Sequence, residues 1–153
     1  NRTVQGFNHD KKGDSFDVDL ALEYAHAENF DALLLPGGVQ NPDKLRLVPA
    51  AIEFVKKMGD AKKPIAAICH GPQTLIETGM LDGRTMTSYW SVKTDLINAG
   101  VNWVDKEVVV DSGLVTSRSP QDLEAFNKKL IEELAEGQHV DAGQAQFSQS
   151  NKK

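Results

Sequence analysis

The chain has 153 residues, 40% of them hydrophobic and 25% charged, a length and balance that fit one globular domain with a real core. A net charge of −5 argues against nucleic acid as the main partner, because phosphate neutralisation needs clustered Lys and Arg. No apolar run approaches the ~20 residues of a membrane span, and the first residues lack a secretory pattern, although a start at Asn1 rather than Met is compatible with a trimmed end. The single cysteine, Cys69, excludes an internal disulfide framework and fits a reducing compartment, so a cytoplasmic protein is expected. The histidines (His9, His26, His70, His139) are scattered with no zinc-site spacing, and no metal or other cofactor is expected.

In chain order, Thr3–Phe7 and Ser15–Val18 read as two arms of a hairpin around the polar turn at residues 9–14. Residues 19–29 read as a short polar helix or loop. Asp31–Leu35 is a continuous apolar run suited to a buried parallel strand, ended by Pro36-Gly37-Gly38. Pro49 opens a helix with Ile52, Phe54, Val55 and Met58 at helical spacing, closed near Gly59. Pro64–Ile68 is a second buried strand, followed by a helix through Leu75 and Ile76 to Gly79. Arg84–Thr87 is a short strand, and 92–99 is a helix closed by Gly100. Val101–Val104, Glu107–Asp111 and Leu114–Ser117 read as strands. Pro120 opens the last helix, with Leu123, Phe126, Leu130, Ile131 and Leu134 on one face. Residues 1–136 form one domain in this reading, and 137–153 form a polar tail. Strands alternating with helices predict an α/β fold with a mostly parallel sheet covered on both faces.

In such sheets ligands sit at the carboxyl ends of strands, and two strand ends here carry unusual residues. One is Gly37-Gly38, whose turn can point backbone N–H groups into a shared anion-holding concavity or can be an ordinary tight turn. The other is Cys69, where Ile68-Cys69-His70-Gly71-Pro72 breaks from strand to helix. A strand-to-helix elbow aims its corner side chain away from the sheet and beside the free amides of a helix start, which favour a thiolate nucleophile. Gly71 permits close backbone approach and Pro72 suits a first helical turn. The alternative is that Cys69 is a small buried hydrophobe.

Leu35-Pro36-Gly37-Gly38, Ala67-Ile68-Cys69-His70-Gly71-Pro72-Gln73, Thr87-Ser88-Tyr89, Asn98-Ala99-Gly100, Val108–Asp111 and Thr116-Ser117-Arg118 resemble the PfpI family of the PfpI/ThiJ superfamily, over about residues 4–135. The resemblance implies a flavodoxin-like sandwich similar to class I glutamine amidotransferase domains. It implies a nucleophile at Cys69, a histidine partner at His70, and oxyanion donors among the backbone amides near Gly37, Gly38, His70 and Gly71. It also implies a homo-oligomer, a dimer or hexamer, in which an acidic residue just after Pro-Gly-Gly, here Asp43, reaches the histidine of a neighbouring subunit. A helix-start charge explains Asp43 equally well. Family members open with a βαβ unit whose Gly-Phe-Glu-like turn supplies a glutamate to the cysteine, and that unit lies outside these 153 residues. A fragment or a shortened form is therefore expected, the latter with an uncovered sheet edge.

The function implied is cofactor-independent cysteine chemistry on small α-oxoaldehydes such as methylglyoxal (glyoxalase III or deglycase), or on peptides as an intracellular cysteine peptidase. The alternatives are a redox-sensing or chaperone-like stress protein working through oxidation of Cys69, or an inactive homologue. Ser88 and Tyr89 are expected to line the pocket or to make structural hydrogen bonds. Trp90 and Trp103 are expected in the core or at a subunit contact. Arg46 and Arg118 are expected in interface ion pairs, and Lys56-Lys57 with Lys62-Lys63 on a solvated helix face.

Overall fold

The computed structural model describes residues 2–137. The chain runs β1 (Thr3–Asn8), β2 (Lys11–Asp17), two single 3-10 turns at Leu22–Tyr24 and Ala27–Asn29, then β3 (Leu33–Leu35). It continues through α1 (Gln40–Leu45), α2 (Pro49–Asp60), β4 (Ile65–Ile68), α3 (Gln73–Ile76) and β5 (Thr85–Met86). A 3-10 turn at Trp90–Val92 leads to α4 (Lys93–Asn98), β6 (Asn102–Trp103), β7 (Val108–Asp111), β8 (Leu114–Ser117) and α5 (Leu123–Glu136). The polar tail and His139 lie outside the described residues.

The central sheet has four strands in the order β3-β4-β8-β7. β3, β4 and β8 are parallel, and β7 pairs antiparallel with β8. The sheet is thus mixed: Ser112 and Gly113, both at positive φ, turn the chain directly back after Asp111, leaving no crossover that would make β7 parallel. β5 and β6 pair in a separate two-stranded unit, and β1 and β2 form the hairpin. That hairpin turns at His9-Asp10, earlier than the polar composition predicts, because Lys11 and Lys12 already pair with Asn8 and Phe7.

Alternation along β4 and β8 divides the core between two faces. Ile65, Ala67 and Leu114 point to one face and pack with Val55 and Met58 of α2, Leu75 and Leu96. Ala66 and Val115 point to the other, against Phe126 and Leu130 of α5. Full burial of Phe126, 2% exposed, contributes on the order of 2–3 kcal/mol. Small residues at 66 and 67 let helices approach this strand from both sides, so the end of β4 is held rigidly where the chain turns.

Two expectations are corrected here. The helix after Cys69 is a four-residue turn, Gln73–Ile76, and does not run to Gly79. The Thr78 hydroxyl donates to the Leu75 carbonyl, and Gly79 takes φ +72°, so the helix unwinds. A helix that short adds little macrodipole at Cys69. Lys63 is not on a solvated face, because its ammonium donates to the carbonyls of Ala27, Glu28 and Phe30. Helix α1 carries Asp43 in its first turn, as the helix-start reading of that residue has it, although Gln-Asn-Pro-Asp-Lys-Leu has no apolar periodicity to mark a helix.

Candidate active site

Cys69 follows β4 directly and takes φ +62°, a left-handed conformation that costs a non-glycine residue roughly 1–2 kcal/mol. The surrounding backbone pins it there. Its N–H donates to the Ser117 carbonyl at 3.0 Å, and its carbonyl accepts from Tyr89 N–H at 2.9 Å. The Gly71 N–H turns back onto the Ile68 carbonyl at 2.9 Å. β8 and the segment before α4 therefore hold the bend from two sides, and the side chain is left half-buried.

Gly37 and Gly71 are the contacts that make this bend possible. A Cβ on Gly37 would stand 2.6 Å from Cys69 Cβ and 3.2 Å from Sγ. A Cβ on Gly71 would stand 2.5 Å from the Leu35 carbonyl oxygen. The ends of β3 and β4 thus meet backbone to backbone, and only residues without side chains fit between them. Gly38 takes φ +78°, in the left-handed region that favours glycine.

His70 brings its Nδ1 to 3.2 Å from Cys69 Sγ. Its ring stacks on Tyr89, centroids 4.6 Å apart and planes 24° apart. Its Nε2 lies 3.3 Å from Ser91 Oγ. Burial lowers the His70 pKa from its ordinary 6.5, which favours the neutral ring. A neutral imidazole whose ring nitrogen faces a thiol can accept its proton.

The aromatic contact continues outward. Trp90 meets Tyr89 edge to face at 5.5 Å, and the Arg118 guanidinium carbon lies 5.4 Å from the Trp90 ring centre. Arg118 is held by Asp122 through two hydrogen bonds of 2.9 Å and by Asp105 through a third of 2.9 Å. Asp105 also accepts from the Trp90 indole at 3.2 Å. Hydrogen bonding to Arg118 holds both carboxyls below the usual carboxylate range, and the carboxylates push Arg118 upward. Arg118 thus pairs within its own chain, as does Arg46 with Glu77, so neither needs a subunit interface for its partner. Ser88 is buried and structural, donating to the Tyr89 carbonyl and accepting from the Trp103 indole.

Asp43 is exposed on α1, where it lines a cleft with Arg46, Leu47 and Glu77. The fold brings Cys69, His70, Gly37 and Gly71 together but does not bring Asp43 to the same chain's histidine. Sequence reasoning missed Ser91, which carries no signal beyond lying in the loop that follows a short strand. A separate cavity of about 250 Å³ opens at the opposite end of β4, lined by Lys63, Ile65, Met80, Arg84 and Leu114 among others. Neither a thiol nor an imidazole lines it, and Lys63 and Arg84 are occupied by backbone carbonyls. No group of three or more potential metal ligands occurs among the described residues, and no helix among them is long and apolar enough to cross a membrane.

A mixed sheet flanked by helices, with one cysteine at the carboxyl end of an inner strand, defines the class of protein. Residues 3–133 match the DJ-1/PfpI family, and the chain belongs to it. It is 52% identical over 124 residues to a deglycase of Pyrococcus abyssi, across 81% of this chain and 74% of that protein. It is 50% identical over 121 residues to "Putative cysteine protease YraA" of Bacillus subtilis, across 79% of this chain and 71% of that one. Among solved structures, a two-domain protein from Anabaena variabilis containing DJ-1/ThiJ/PfpI-like and ferritin-like domains superposes with a TM-score of 0.76 at 40% identity. That match covers 79% of this chain and 34% of the two-domain chain.

Proposed function

We propose that this chain is a cofactor-independent cysteine enzyme that attacks electrophilic carbonyls, with Cys69 as nucleophile and His70 as its proton partner. The observation that carries this reading is the 3.2 Å approach of His70 Nδ1 to Cys69 Sγ at a bend held in a strained backbone conformation. Such strain at the end of an inner strand fits a nucleophile elbow in a flavodoxin-like sandwich spanning residues 1–136. The deglycase and protease names of its relatives support the substrate class, small α-oxoaldehydes such as methylglyoxal, or peptides.

In the reaction Cys69 sulfur bonds to the carbonyl carbon while the thiol proton passes to His70 Nδ1. The carbonyl π pair moves to oxygen, and backbone amides around Gly37, Gly38 and His70 hold the alkoxide, whereas the Gly71 amide expected to join them is spent on the Ile68 carbonyl. His70 then returns the proton to that oxygen, giving a hemithioacetal from an aldehyde. A ring made less basic by burial suits this role, because it gives the proton up again.

The same reading places the enzyme in a homo-oligomer, dimer or hexamer, in the cytoplasm. Val39 and Leu47, 64% and 81% exposed, flank α1 with apolar side chains that a second copy would cover. Asp43 on the same helix would then reach the His70 of that copy. Its carboxylate would favour the imidazolium formed during attack.

Iodoacetamide labelling of Cys69 in the native protein, with parallel loss of methylglyoxal turnover and of peptidase activity, tests the reading and separates its two substrate arms. Stoichiometric oxidation of the thiol by peroxide without turnover of either substrate would point to a redox sensor.

A further inference from the structure

Within the proposed cysteine chemistry, on which this inference rests, we infer that Ser91 is the positioning residue that anchors His70 Nε2 while Nδ1 faces Cys69. His70 Nδ1 faces Cys69 Sγ at 3.2 Å and Nε2 faces Ser91 Oγ at 3.3 Å, so among the described residues of its own chain each ring nitrogen has one partner. A neutral imidazole carries one N–H. With that hydrogen on Nδ1, the ring would donate to sulfur and could not take the thiol proton. With it on Nε2, the ring donates to the Ser91 hydroxyl and presents the Nδ1 lone pair to the thiol. The Ser91 hydroxyl can meet Nε2 in either arrangement, and in the second, the one that leaves the nucleophile a base, it accepts the Nε2 hydrogen and anchors the ring.

The backbone supports this assignment. Ser91 lies in the 3-10 turn Trp90–Val92, two residues after Tyr89, whose N–H donates to the Cys69 carbonyl at 2.9 Å. Tyr89 lays its ring on the imidazole face at 4.6 Å. One short segment therefore fixes the cysteine backbone, the plane of the histidine ring and the partner of its far nitrogen. The titratable groups facing the ring in these contacts are the Cys69 thiol and the Tyr89 phenol, and burial is the cause of its lowered pKa. Ser91 is exposed and bears no core packing, so its replacement leaves the fold intact.

The test is the pH–rate profile of iodoacetamide alkylation of Cys69 in the wild type, Ser91→Ala, Ser91→Thr and Asp43→Asn. Ser91→Ala is expected to slow alkylation near pH 7 about five- to tenfold, the size of one lost hydrogen bond, and to move the profile to higher pH. Its thermal midpoint stays within about 2 °C of wild type, as expected for an exposed site. Ser91→Thr keeps a hydroxyl in place and restores the wild-type profile. A Ser91→Ala profile that superimposes on the wild type overturns the inference. So does a profile moved by Asp43→Asn alone, since a carboxylate from a second copy would then hold the ring. The assay reads the thiol directly, so a failure of methylglyoxal turnover would count against the proposed activity and leave this result to be judged separately.

Discussion

Gly37 is packed against Cys69 so closely that a Cβ at position 37 would lie 2.6 Å from the cysteine Cβ and 2.9 Å from the Ile68 carbonyl oxygen. Neither neighbour is the free end of a flexible side chain, and the Cys69 backbone is already pinned by Ser117 and Tyr89. Gly37→Ala should therefore cost about 1–3 kcal/mol, as overpacking does, and should slow thiol alkylation by displacing the bend. Urea unfolding and iodoacetamide labelling check the two effects. An unchanged midpoint with an unchanged labelling rate would show that the two strand ends are not coupled.

The positive φ of Cys69 makes a second expectation sharp. Cys69→Gly relieves the left-handed strain that Cys69→Ala keeps, although glycine loses more entropy on folding. The glycine variant should be more stable than the alanine variant by about 1 kcal/mol in urea unfolding. The reverse order would mean that the bend is not strained.

His70 ties stability to pH. Its folded pKa lies below the ordinary 6.5, so its contribution is fully present above that value. As pH falls below 6.5 the unfolded chain takes up the proton first, and the contribution is lost down through the folded pKa. Relative to His70→Gln, the wild type should lose stability across that window, and thermal unfolding between pH 7 and pH 5 measures it. Parallel curves for the two proteins would rule out a depressed His70 pKa.

Much of this was legible in the sequence because it rests on local chemistry. Pro64–Ile68 reads as a strand and Cys69 as a corner because an apolar run meets Gly71-Pro72, and β4 occupies Ile65–Ile68 of it. α2 and α5 read as helices because Val55, Met58, Phe126 and Leu130 recur at helical spacing. The rest depends on partners far along the chain. Asp111 and Leu114 pair with each other, and that turn reverses β7 against an otherwise parallel sheet. Lys63 follows other lysines in sequence but finds three carbonyls contributed by residues 27–30. Arg118 reads as an interface charge until folding brings Asp105 and Asp122 to it. Ser91 has no pattern at all, and only the pairing of Tyr89 with Cys69 brings it to His70.

The Arg118–Asp122 pair gives a fourth expectation. Asp122 is 5% exposed and takes three hydrogen bonds from Arg118, one of them from its backbone. Arg118→Met leaves that carboxylate buried with its charge uncompensated, at a cost of about 2–3 kcal/mol. The pair's contribution persists above the ordinary carboxyl pKa of 3.8 and is lost as pH falls through the lowered folded value. Urea unfolding at pH 7 measures the first effect. A loss well under 1 kcal/mol would mean that water solvates Asp122 in the folded state.

The most direct test of the central claim is steady-state conversion of methylglyoxal to lactate by the wild-type protein and by Cys69→Ala, with folding of both verified by circular dichroism. Catalysis through a covalent bond to Cys69 predicts turnover by the wild type and its loss, by at least about a hundredfold, in the variant. Equal turnover by the two proteins would contradict it.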